Sequence, residues 1–204
     1  MDTTTDTGEA TGLLETVLAD LAAVTGGITP GQLHDPTPCA GYDVAQLREH
    51  IVGWLETFAA GFADPAGQAP RASLDGYQAP ADAAGAVRSA AATLIHALRA
   101  GAARRPLLLG SSAMPGELAL GMIVWEYQVH GWDLARATGQ DWSPPPAAAE
   151  QSLAFAPAML TPGYQGEGKA FGPPVPVPAG APAFARLLGL SGRDPGWRRP
   201  AAAR

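Results

Sequence analysis

Four stretches of the chain repeat apolar residues at three- and four-residue steps, and that periodicity commits most of its length to α-helix. Residues 9–25 place Leu14, Val17, Leu18, Leu21 and Val24 on one stripe and run into Gly26-Gly27, a stop signal. Residues 43–63 open on Asp43, a good N-cap, and carry Val44, Leu47, Ile51, Leu55, Phe58 and Phe62. Residues 82–103 carry Val87, Ala91, Leu94, Ile95 and Leu98, and residues 117–138 form the fourth segment. Four such helices predict an all-α helical bundle, a fold that builds ligand and metal sites from side chains on facing helices. An irregular all-α domain without a bundle core is the alternative.

The rest is less regular. "RPLLLGSSAMPGE" is short, apolar and turn-rich, a small hairpin or an irregular loop. The prolines at 144–146 can start a fifth helix running to about Leu160, because Pro is tolerated in a first turn. "FGPPVPVPAGAP" reads as an extended strap, since each Pro fixes its own backbone angle and biases its predecessor away from helix. A short helix at "AFARLLGL" and a frayed "GWRRPAAAR" follow. The expected organisation is a disordered N-terminus over 1–8, a single bundle with its C-terminal strap over 9–195, and a flexible tail over 196–204.

Composition narrows the function classes. A chain that is 47% hydrophobic and 16% charged is that of a folded soluble protein, and its net charge of −6 with scattered Arg argues against a nucleic-acid partner. No apolar run approaches the roughly 18 residues of a membrane span, and "MDTTTDTGEATG" has neither the basic nor the apolar region of a signal peptide. The single Cys39 rules out an internal disulfide and fits a reducing compartment. A cytoplasmic enzyme or binding protein for small molecules is expected, as a monomer or homodimer. Heavy use of Ala, Gly, Pro and Arg beside a single Lys169 is what a GC-rich genome, such as an actinobacterium's, writes.

The fourth segment carries the chemistry. On a helical wheel of about 100° per residue, Glu126, His130 and Asp133 fall within about 40° of the centre of the apolar side marked by Ala119, Met122, Ile123 and Ala137. An unpaired carboxylate there would cost several kcal/mol, so it must be neutralised, hydrogen-bonded or bound to a cation. Glu126 and His130 are four residues apart and can converge on one ion, although an ordinary buried ion pair has the same spacing. A catalytic zinc-type site takes three protein ligands. Of the other histidines, His96 falls on the water side of its helix and His34 in a turn, which leaves His50, at the edge of the second helix's stripe near Leu47 and Trp54. Asp133 reads either as a plain hydrogen-bond acceptor or as the partner that fixes a ligand histidine's tautomer. Cys39 reads as a small buried residue, and Trp54, Trp125, Tyr127 and Trp132 as bundle packing rather than a substrate cage.

"DPTPCAGYDVAQLREHIVG", "VHGWDLARATGQ" and "FGPPVPVPAGAPAFARLLGLSGRDP" resemble, in that order, three segments of the actinobacterial metal-binding family of the DinB-like superfamily, which includes the N-terminal domain of mycothiol-dependent maleylpyruvate isomerase. The resemblance spans about residues 10–195. It implies a DinB-like four-helix bundle with a divalent metal held by His50, Glu126 and His130, the same three residues the wheel selects. Two positions depart from the family pattern: Tyr42 replaces a common Trp, and Trp54 a usual Gly, one turn beyond His50, where it would reshape a cofactor or substrate pocket.

Two imidazoles and a carboxylate leave a bound Zn²⁺ with positive charge and an open position, able to acidify a water or deprotonate a thiol. With the GC-rich source, the resemblance implies mycothiol as the thiol. The leading expectation is metal-dependent activation of a low-molecular-weight thiol for S-transfer to, or isomerisation of, a small electrophile. Metal-dependent hydrolysis or proton transfer, with Glu126, Asp133 or a bound water as base, is the second. A bundle that binds metal or a small ligand without catalysis is the third. Zinc suits the ligand set; nickel, iron and manganese are the other candidates.

Overall fold

The computed structural model describes residues 7–200 apart from 162, 164 and 170. Six helices follow in order: α1 Thr7–Gly26, α2 Val44–Ala63, α3 Ala83–Arg99, α4 Gly116–Thr138, α5 Pro146–Met159 and α6 Ala183–Leu190. Between α3 and α4 lies an antiparallel hairpin, β1 Leu107–Leu109 and β2 Ser112–Met114, which pairs Leu107 with Met114. The all-α expectation holds, and "RPLLLGSSAMPGE" resolves as the hairpin. The expected disordered segment 1–8 overlaps the described residues only at Thr7 and Gly8, which form the start of α1. Of the expected tail, residues 201–204 lie outside the described residues, whereas Arg199 bonds Asp35 and the Trp197 carbonyl accepts from Arg136.

Local signals account for the helix ends. Asp43 caps α2 by accepting from the Gln46 backbone N–H, while the Gln46 side chain accepts from the Asp43 N–H, a reciprocal pair that fixes where the helix starts. Asp82 caps α3 through the Gly85 N–H. Pro146 sits in the first turn of α5, and α4 ends at Gly139, whose φ of 74° suits glycine and closes the last turn.

Helices α1–α4 form the bundle around a core that includes Leu14, Leu21, Leu47, Leu55, Leu94 and Ile123, all fully buried. A second core lies on the far side of α4, where Trp125, Val129 and Trp132 pack against Ala149, Ala156 and Met159 of α5 and Leu187 and Leu188 of α6. Burying a Trp such as Trp125 removes enough apolar surface to contribute roughly 4–6 kcal/mol before entropy is counted. From Ile123 to Thr138, α4 is therefore covered nearly all round, with every residue buried but Glu126 and Arg136, which are half-buried.

This revises the single apolar stripe read from the sequence. Counted from Ala119 at about 100° per residue, the bundle-facing residues of α4 span about 0–160° and Trp132, Trp125 and Val129 about 220–280°. Asp133 and Glu126 fall at about 320° and 340°, in the seam between the two cores, and His130 at about 20°, on the bundle's edge of it. Gln128 lies in the opposite seam, at about 180°, and bonds Ser152 and the Ala148 carbonyl. Glu126, Asp133 and Gln128 thus lie along the two lines on α4 that separate the two cores. No helix among the described residues is long and apolar enough to cross a membrane.

Candidate functional site

Three elements converge on the first seam. α2 supplies His50, two turns beyond its capped start, and α4 supplies Glu126, His130 and Asp133 from consecutive turns of one face. The loop before α2 supplies Cys39 and Tyr42, held by the Thr37 hydroxyl, which bonds the Cys39 and Tyr42 carbonyls and accepts from the Cys39 N–H.

His50 Nε2 lies 3.1 Å from Glu126 Oε1, and His130 Nε2 lies 3.8 Å from the same oxygen. The two imidazole centroids are 5.1 Å apart and nearly perpendicular. One donor atom from each of His50, Glu126 and His130 falls within 4.8 Å of the others. Ligands about 2.1 Å from a tetrahedral ion stand roughly 3–3.5 Å from one another, and the 3.1 and 3.8 Å separations of the two imidazoles from Glu126 Oε1 are close to that spacing. The donor set, two imidazoles and one carboxylate, suits zinc. Side-chain exposure falls from 20% and 21% at His50 and Glu126 to 10% at His130 and 0% at Asp133, so the group opens to solvent on the His50–Glu126 side.

Behind His130 the network is closed. His130 Nδ1 donates to Asp133 Oδ2 at 3.1 Å, which directs Nε2 toward Glu126. The same Asp133 oxygen accepts from Arg193 Nη2 at 3.1 Å, and Arg193 Nη1 donates to the Ser191 carbonyl at 2.7 Å. Arg193 reaches this point because the chain turns at Gly192, φ 77°, immediately after α6. Ser191 is anchored by the Trp125 indole N–H at 2.8 Å. Arg193 Nη2 also lies 2.9 Å from Cys39 Sγ.

The charge states follow from these contacts. Burial would raise the Glu126 carboxyl, but the hydrogen bond from His50 and the charges of His130, His50 and Arg193 outweigh it and hold it below its ordinary 4.5. Burial lowers His130 below 6.5, against the opposing pull of Asp133, so its ring is neutral at pH 7 and fit to ligate. Burial pushes the Cys39 thiol up to about 11 despite the neighbouring Arg193. The site therefore presents an ionised carboxylate, a neutral imidazole and a protonated thiol.

The structure brings together His50, Glu126 and His130, with Asp133 behind them. Trp54 is half-buried one turn along α2 and stacks on Phe58 at 5.6 Å. Trp125, Tyr127 and Trp132 are buried packing residues. His34 is exposed beside Asp43, and His96 lines a groove with Phe62 and Arg105. That groove lies about 18 Å along α2 from His50, at twelve residues of helical rise. Sequence reasoning missed Arg193 as a member of the site and treated Cys39 as inert packing. Tyr42, noted only as a departure, puts its hydroxyl 3.4 Å from His50 Nδ1. Two signals for Arg193 were available, a charged residue in "LLGLSGRDP" directly after an apolar helix and its place inside the third family-like segment.

The sequence profile of the mycothiol maleylpyruvate isomerase N-terminal domain matches residues 14–135, a span that contains His50, Glu126, His130 and Asp133 but stops short of Arg193. Uncharacterized proteins from two strains of Mycobacterium tuberculosis, CDC 1551 / Oshkosh and ATCC 25618 / H37Rv, are each 35% identical over 174 residues, covering 84% of this chain and 91% of theirs. No solved structure gives a significant match.

Proposed function

The chain belongs to the family of the mycothiol maleylpyruvate isomerase N-terminal domain, and from that premise we propose that it is a divalent-metal-dependent enzyme activating a low-molecular-weight thiol, mycothiol, toward a small electrophile. The observation that carries this reading is the convergence of His50, Glu126 and His130 within 4.8 Å beside an opening to solvent. Zinc is the proposed ion, and a cytoplasmic setting fits a chain whose one cysteine is a free thiol.

His50, Glu126 and His130 would hold the ion. When bound, a divalent cation supplies the positive charge that lets a coordinating thiol lose its proton near neutral pH. Asp133 keeps the His130 proton on Nδ1, leaving the Nε2 lone pair free. Tyr42 does the same for His50, its hydroxyl oxygen accepting from Nδ1–H when Nε2 acts as ligand. Glu126 Oε1 faces both imidazoles, which leaves Oε2 to take the thiol proton. The sulfur then bonds the electrophilic carbon. In transfer, the proton returns to the neighbouring carbon; in isomerisation, the C–S bond breaks after rotation and the thiol is recovered. Trp54, one turn along α2 from His50, forms a wall of the pocket for the thiol's non-reacting part.

Thiol consumption with an activated electrophile tests the reading. Zinc-loaded parent should turn over, whereas chelated protein and a His130→Ala variant should not. Equal rates in all three overturn it. Metal-dependent turnover without added thiol would instead assign the site to hydrolysis or proton transfer, with Glu126 as base.

A further inference from the structure

His130 belongs to two donor groups rather than one. On its Nε2 side are Glu126 and His50; on its Nδ1 side are Asp133 and, close by, Cys39. Donor atoms of Cys39, His130 and Asp133 also lie within 4.8 Å of one another. Bound to a cation, Cys39 would ligate as thiolate, and a thiolate, an imidazole and a carboxylate make a ligand set that zinc and softer ions favour, with two negative charges against the one of the His50–Glu126–His130 set. Two competing triads share one histidine.

Arg193 stands in the inner one. Its Nη2 lies 2.9 Å from Cys39 Sγ and 3.1 Å from Asp133 Oδ2, and its Nη1 is tied to the Ser191 carbonyl. The guanidinium is buried and cannot lose its proton in a protein. We propose that Arg193 is a resident cation that occupies the Cys39–His130–Asp133 donor set and thereby restricts metal to His50, Glu126 and His130. A metal ion entering the inner set would have to displace a fixed positive charge already bonded to two of its three ligands. The choice matters for function, because the inner triad is closed to solvent whereas the outer one opens to it. This inference rests on the metal-site reading and adds a metal-directing role for a residue outside the matched family segment.

Cobalt(II) is the probe, because thiolate ligation adds a near-ultraviolet charge-transfer band that imidazole and carboxylate do not give. The parent should take up one cobalt per chain without that band, and Cys39→Ala should leave its spectrum unchanged. Arg193→Gln should gain the band, and Arg193→Gln combined with Cys39→Ala should lose it again. Arg193→Lys, which keeps the cation, should remain free of it. His50→Ala in the parent background, a change at the solvent edge of the site, should lose cobalt rather than shift it inward. A thiolate band in the parent or in His50→Ala overturns the proposal without recourse to any Arg193 variant. An Arg193→Gln protein that binds one cobalt with the parent's spectrum overturns this inference alone; a parent that binds no cobalt overturns the metal reading and this inference with it.

Discussion

Asp133 and Arg193 form a fully enclosed ion pair, with side chains 0% and 9% exposed, and its energetics can be isolated. Asp133→Asn keeps the shape and the oxygen that accepts from His130 Nδ1 and Arg193 Nη2 but leaves the guanidinium with neutral partners alone, that amide oxygen, the Ser191 carbonyl and the Cys39 thiol. Arg193→Met leaves Asp133 with the imidazole alone. Removing one partner of a buried pair strands the other charge and costs about 3–5 kcal/mol. Removing both strands none, so the double variant should lose only the hydrogen bonds of the guanidinium, about 1–3 kcal/mol. The coupling is then about 3 kcal/mol or more, at the top of the range for residues in contact. Urea unfolding followed by circular dichroism, in chelator so that no metal contributes, reads these values by linear extrapolation at constant m. For a chain of this size each single variant should lower Tm by about 6–20 °C and the double by markedly less than their sum. Single costs that add to within about 0.5 kcal/mol would refute the reasoning, because the two charges would then not be each other's compensation.

Four further outcomes are expected. Asp133→Asn should weaken zinc binding by about 10–100-fold in a competition titration, since the partner that orients a ligand imidazole tunes its affinity; unchanged affinity would detach Asp133 from the site. Zinc at about 100 times its Kd should stabilise the parent by about 2.7 kcal/mol over chelated protein, and a Tm that ignores zinc contradicts a site preferring the folded state. His130 and Glu126 titrate below their ordinary 6.5 and 4.5. Between folded and unfolded values the unfolded chain binds more protons, so their contribution is complete above pH 6.5 and is lost on acidification, His130's first. The stability gap between metal-free parent and His130→Gln should shrink as pH drops from 7 to 5, and a gap that widens reverses the assignment. Gly131→Ala drives a methyl into the Trp142 ring and should cost about 1–3 kcal/mol by urea unfolding, whereas a neutral result would mean that the ring moves aside freely.

Periodicity made α1–α4 legible, because each helix buries a stripe repeating at three and four residues. The prolines likewise marked the start of α5 and the strap. What periodicity could not convey was that α4 is shared by two cores, since Trp125, Val129 and Trp132 face α5 and α6 rather than water. The wheel nevertheless found Glu126, His130 and Asp133, because charged groups on a buried helix stand out whichever neighbour covers them. His50 was reachable by elimination among four histidines. Arg193 was not. Its place depends on a turn at Gly192 and on the docking of α6, neither of which leaves a periodic trace, and Cys39 became a site residue only once that guanidinium arrived.

The contacts that define the site are distant along the chain: His50 and Glu126 are 76 residues apart, Arg193 and Cys39 154. Loops of that size close late and slowly, after local helices have formed. An ion that needs both α2 and α4 meets its ligands only when the tertiary fold is nearly complete, so it can lock the finished molecule but cannot nucleate it. Refolding started with and without zinc should therefore share the same early helical phase and diverge only in the rate at which the native state comes apart again.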